Sequence, residues 1–145
     1  EMTEVFGWST SGYWAETSPW GEDTTEDEAF AVVRFGKGAV YSLRVSKLDG
    51  DPDPFRMKVV GTRGTISFSP HGRYRLCHAT SDDVFVAEGE NPKPQWQKFY
   101  ENLAGYFTGR EPLEILGRYA LRPIHVLDLA VASAREGRAM PTRYG

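Results

Sequence analysis

At 145 residues the chain has the size of one domain and is long enough to bury a core. Its 40% hydrophobic and 26% charged residues are ordinary for a soluble globular protein, and a formal net charge of -3 argues against a nucleic-acid partner, because no basic stripe is present to neutralise phosphates. The single cysteine, Cys77, cannot form an intrachain disulfide, which suits a reducing cytoplasm; no apolar run approaches the roughly 18 residues of a membrane span, and no signal-peptide pattern is present.

Residues 2–8 alternate like a strand from the outset, with Val5 as the expected core residue. The chain therefore reads as starting mid-protein, as a cut domain would. Residues 9–28 form a long loop containing Tyr13, Trp14 and Trp20 and closing in an acidic run, Glu22 to Glu28. Connections of this length without structure of their own tend to be functional or mobile. The aromatics could line a pocket or stack on a sugar ring, or they could fold back onto the core. The acidic run reads as a solvated approach to the next strand.

The chain is organised around residues 27–69. Apolar runs at 27–35, 39–47, 56–60 and 65–69 have strand length, and the short gaps Gly36-Lys37-Gly38 and Gly61-Thr62-Arg63-Gly64 carry the glycines of tight hairpins. Alternation is one-sided. Ala39, Tyr41, Leu43 and Val45 leave one face, while Val40, Ser42, Arg44 and Ser46 leave the other. Met57 and Val59 stand against Arg56 and Lys58, and Ile66 and Phe68 against Thr65, Ser67 and Ser69. One face must be covered by something apolar; the polar face meets water, a subunit or a ligand. The loop 48–55 holds three aspartates, but Pro52 and Pro54 and the missing terminal glutamate speak against a calcium loop. Strands at 73–80 and 84–87 follow.

Asn91-Pro92-Lys93-Pro94 breaks the β pattern. Between residues 95 and 108, Trp96, Phe99, Leu103, Tyr106 and Phe107 make one helical stripe, ended by Gly109. A second helix runs from about residue 113 or 116 to Glu136, with the stripe Ala120, Ile124, Leu127, Val131 and Ala134, and Pro123 should start a fresh segment or kink it. The expected fold is a single α+β domain over residues 1–145: a largely antiparallel open sheet with both C-terminal helices packed on one face.

A search for chemistry finds no dinucleotide fingerprint, phosphate loop or zinc motif. His71, Cys77 and His78 do not make a metal site, and His125 with Asp128 reads as a helix-surface pair. No catalytic residue, cofactor-binding residue or metal is assigned to this chain.

Four phrases in order carry a resemblance: Glu26-Asp27-Glu28-Ala29 before the strand ending Phe35-Gly36-Lys37-Gly38-Ala39; Val60-Gly61-Thr62-Arg63-Gly64-Thr65-Ile66; Phe99-Tyr100-Glu101-Asn102-Leu103 through Gly109-Arg110-Glu111-Pro112; and Val131-Ala132-Ser133-Ala134-Arg135-Glu136-Gly137-Arg138. Together, over nearly the whole chain, they resemble the C-terminal domain of the Gfo/Idh/MocA family. The resemblance implies an NAD(P)-dependent oxidoreductase acting on a sugar, cyclitol or related polyol, whose N-terminal Rossmann domain lies before Glu1 with the cofactor site and the catalytic groups. This domain would then supply a wall of the substrate site and an oligomer interface. The loosely matching substrate positions are Ser46, Lys47 and Arg56, whose donors suit hydroxyls, and the polar face with Ser42, Arg44, Lys58 and Ser67 would be the interface of a homo-oligomer. The alternatives are a dimerisation module without catalysis, or a carbohydrate-binding module using Trp14 and Trp20.

Overall fold

The computed structural model describes residues 1–81 and 83–143, and these form two compact units, Glu1–Gly50 with Glu114–Gly145, and Asp51–Leu113. Every strand pairing is antiparallel, as the hairpin pattern requires. The strands divide between two open four-stranded sheets rather than one continuous layer. The fold class is the expected α+β.

The first unit holds β1 (Met2–Thr10), β2 (Glu28–Phe35), β3 (Val40–Ser46), the short β8 (Met140–Pro141) and helix α2 (Gly117–Glu136), with strand order β3-β2-β1-β8. Paired residues share a face, so the register Val5 with Val33, Gly7 with Ala31 and Ala31 with Leu43 defines the inner side. On it Val5, Val33 and Val126 of α2 make the buried core, flanked by Met2, Phe35, Leu43, Leu129 and Ala130. Each fully buried valine contributes about 1.5–3 kcal/mol of transfer free energy. Val5 is the core residue that its alternation marks out.

Helix α2 does not dock through the stripe that its larger side chains suggest. Ile124, Leu127 and Val131 stay exposed, whereas Val126, Leu129, Ala130 and Ser133 turn to the sheet. Small residues decide this. Gly7 on β1 has no side chain, so the Ala130 backbone comes so close that a Cβ built on Gly7 would lie 2.1 Å from the Ala130 oxygen. The buried Ser133 hydroxyl accepts from the Gly7 N–H at 2.9 Å and donates to the Arg138 carbonyl at 2.6 Å, tying β1, α2 and the segment after it. We expect Ser133→Ala to cost about 2 kcal/mol in urea unfolding, since it strands a buried donor and an acceptor at once. A loss below about 0.5 kcal/mol would mean that water replaces the hydroxyl. The helix continues through Pro123, so no fresh segment starts there.

The second unit holds β4 (Met57–Gly61), β5 (Gly64–Phe68), β6 (Arg73–Ala79) and β7 (Val84–Glu90) in sequential order, then helix α1 (Trp96–Phe107). The register alternates faces as expected: Met57 opposes Phe68 and Val59 opposes Ile66 on one side, and Lys58 opposes Ser67 on the other. The two helices do not share one sheet. Helix α2 packs on β1 and β2, while α1 makes no comparable contact with the strands of its own unit among the described residues. Helix α1 instead buries Asn102 and Gly105 against the segment that follows it, where the Asn102 amide donates to the Pro112 carbonyl at 3.0 Å and Gly105 meets the Glu111 side chain. Its aromatic stripe, Trp96, Phe99, Tyr106 and Phe107, is exposed. Among the described residues no helix is long and apolar enough to cross a membrane.

Candidate functional site

The connection between β1 and β2 is held by one carboxylate. Asp27 is buried, and its two oxygens accept from the backbone N–H groups of Tyr13 at 2.8 Å and Trp14 at 3.1 Å. Its own N–H donates to Thr10 and its carbonyl accepts from Lys47, both at 2.9 Å. The acidic run is therefore not wholly solvated: Asp27 is drawn inside because it can satisfy otherwise unpaired backbone donors. Beyond it, Ser18 N–H donates to the Trp14 carbonyl at 2.8 Å, and the Ser18 hydroxyl accepts from Trp20 N–H at 3.1 Å. A single 3-10 turn, Gly21–Asp23, completes the loop. The aromatics do not plug the core. Tyr13 and Trp14 meet edge to face, with centroids 5.6 Å apart.

These constraints leave a cleft of about 400 Å3 lined by Trp14, Ser18, Trp20, Asp23, Thr24, Thr25 and Lys47. Lys47 follows β3 directly, and its Nζ donates to the Thr25 hydroxyl. The walls offer indole surface, a carboxylate, hydroxyls and an ammonium, donors and acceptors of the kind that pair with hydroxyl groups. We expect Asp27→Ala to loosen the loop, cost about 2 kcal/mol and shift tryptophan emission to the red, as measured by urea unfolding followed by fluorescence. Unchanged emission would show that the loop keeps its shape without the carboxylate.

Ser46 and Lys47 sit together at the end of β3, but they differ in availability. Ser46 is half-buried opposite Glu28, and its hydroxyl accepts from Leu48 N–H at 3.2 Å, a local turn contact. Lys47 reaches the cleft. Arg56 belongs to the other unit, where its N–H donates to the Ser69 hydroxyl at 3.3 Å. Asp23, Thr24 and Thr25, which alternation alone did not single out, join Lys47 because Asp27 folds the loop onto the strand end.

A second cleft, of about 210 Å3, lies between α2 and the inner side of β2 and β3, with Leu43, Val45, Leu127, Val131 and Ala134 among its walls. Its lining is mostly apolar, with Ser9 and Glu26 as the polar residues.

Ser42 and Arg44 leave the face of β3 opposite α2. Arg44 Nη2 lies 2.7 Å from Glu28, whose hydrogen bond and charge hold the guanidinium above its already high ordinary value. Arg34 pairs with Glu4 at 2.7 Å on the same side. That side is less polar than the β3 pattern suggests. Phe6 stands opposite Val32, and Trp8 opposite Phe30, with Phe6 and Trp8 both exposed. Lys58 and Ser67 are direct cross-strand neighbours on the second sheet.

Among the described residues there is no Rossmann-type dinucleotide site: that fold turns a parallel strand through a glycine-rich loop into a helix N-terminus, whereas the strand pairings are antiparallel and the N-caps are Gln95 and Leu116. Among the described residues no three histidine, cysteine or carboxylate side chains gather as a metal site.

The fold is that of an antiparallel α+β domain with a donor-rich cleft beside the end of β3. The chain matches the model of the oxidoreductase family C-terminal alpha/beta domain over residues 4–142, and it belongs to that family, Gfo/Idh/MocA. No curated protein gives a significant match. Among solved structures, levoglucosan dehydrogenase in complex with NADH and levoglucosan is 16% identical with a TM-score of 0.74, the match covering 100% of this chain and 46% of that one. The WlbA dehydrogenase from Bordetella pertussis, in complex with NADH and UDP-GlcNAcA, is 19% identical with a TM-score of 0.58, over 100% of this chain and 40% of that one. An NAD-binding protein from Listeria innocua is 13% identical with a TM-score of 0.70, over 99% and 42%. The chain thus spans less than half the length of these proteins, and at such identities the likeness is one of fold.

Proposed function

We propose that the chain is the substrate-site and oligomerisation part of a cytoplasmic NAD(P)-dependent oxidoreductase that acts on a sugar, cyclitol or related polyol. Residues 1–145 serve as one domain of it, and an N-terminal Rossmann domain carries the cofactor and the groups that move hydride and proton. The family match over residues 4–142 carries this reading. The hydroxyl-suited cleft at the end of β3 supports the substrate class, as do the sugar ligands named for two of the solved neighbours. In the first unit, Ser46 and Lys47 are the proposed substrate contacts; in the second unit, Arg56 is proposed by the family resemblance alone. On the side of the first sheet away from α2, Ser42 and Arg44 with Phe6 and Trp8 form the proposed contact with a second copy; on the second sheet, Lys58 and Ser67 are proposed interface residues of that unit.

Residues 1–145 alone should leave NADH fluorescence unquenched, while the full-length protein should bind NADH and reduce NAD or NADP with a member of a sugar and cyclitol panel. Quenching by residues 1–145 alone would contradict the division of labour. For the interface, light scattering should give a mass above the monomer, and a strict monomer at high concentration would remove the contact.

A further inference from the structure

The connection 11–27 keeps its indoles in water. Trp20 is 74% exposed and Trp14 38%, although both border a cleft built on fixed hydrogen bonds. Isolated apolar exposure needs no cause, but two indoles facing a polar-rimmed cleft do. An indole offers a flat apolar face, and a pyranose or cyclitol ring presents a C–H face of similar extent with hydroxyls around its edge. The rim complements those hydroxyls. Asp23 accepts, the Lys47 ammonium donates, and Thr24 and Thr25 can do either. Asp23 and Lys47 carry opposite charges, so the cleft has no net attraction for a phosphate. Because Asp27 already fixes the loop start, loop end and β3 to one another, little ordering is left to be done on binding.

We propose that this cleft is a saccharide subsite, in which a neutral pyranose or cyclitol ring stacks on the indoles of Trp14 and Trp20 while Asp23 and Lys47 hydrogen-bond its hydroxyls. The proposal rests on the sugar and polyol reading above for its ligand class, but it gives the ring a place that does not depend on cofactor.

The test is a titration of the full-length protein, without cofactor, with glucose, galactose, xylose and myo-inositol, read by tryptophan emission and by saturation-transfer NMR. At least one probe should give a saturable change in both. Trp20→Ala should weaken its binding at least tenfold and Trp20→Phe less, Lys47→Met should weaken it about threefold or more, and Trp96→Phe on α1 should change nothing. Absence of binding by all four probes overturns the subsite, as does unaltered affinity in both Trp20→Ala and Lys47→Met, or tighter binding of glucose 6-phosphate than of glucose. The two readings fail separately. Sugar oxidation with an unchanged KM in Trp20→Ala would sink the subsite and leave the oxidoreductase standing, whereas cofactor-free binding that follows these variants, in a protein that reduces neither NAD nor NADP, would do the reverse.

Discussion

Gly7→Ala should destabilise the protein by on the order of 3 kcal/mol, a larger effect than most single methyl additions produce. The new Cβ would lie 2.1 Å from the Ala130 carbonyl oxygen, 2.6 Å from its carbon and 2.7 Å from its Cα. All three are backbone atoms of α2, so no rotamer change can make room. Relief requires β1 and α2 to separate, which opens the contact of Val5 and Val33 with Val126 and stretches the Gly7 to Ser133 hydrogen bond. Urea unfolding measures the loss. Ala130→Gly in the same protein should not rescue it, because the obstructing atoms remain; rescue, or a loss under about 0.5 kcal/mol, would mean that helix and strand do not approach as closely as described.

Gly64→Ala should have the second largest effect and act on the other sheet. Gly64 opens β5 with φ +153°, a conformation that side chains disfavour, and its Cβ would come 2.6 Å from the Cys77 carbonyl oxygen on neighbouring β6. Strain and collision together cost about 2–3 kcal/mol, which for a chain of this size lowers the melting temperature by roughly 5–10 °C. Hydrogen exchange adds a location. Protection should fall along β5 and β6 and persist on β1 and β2; a uniform loss across both sheets would contradict the division into two units.

Strand alternation was a reliable guide wherever contrast along the chain was sharp. Tyr41, Leu43 and Val45 do share a face, as do Lys58 and Ser67, because period-two alternation survives any arrangement of the sheets. The allocation of strands to two sheets was not legible, since pairing partners are a long-range choice that local pattern does not encode. The facing of α2 was misread for a related reason. Leu127 and Val131 advertise an apolar stripe, yet the closest packing goes to Ala130 and Ser133, whose merit is smallness and appears only beside Gly7. Likewise β8 is a two-residue strand, too short for periodicity to register. At the cleft, Lys47, Trp14 and Trp20 could each be noticed in the sequence, but their convergence depends on Asp27, which looked like one more solvated acid in a run of them.

That Asp27 clamp has an evolutionary consequence. Because a single carboxylate secures the entry and exit of the connection to the sheet, the amino acids between Ser18 and Thr25 form a cassette whose ends are anchored independently of its contents. Relatives could trade that cassette to accept new ligands without renegotiating the scaffold, and a protein engineer could graft there first.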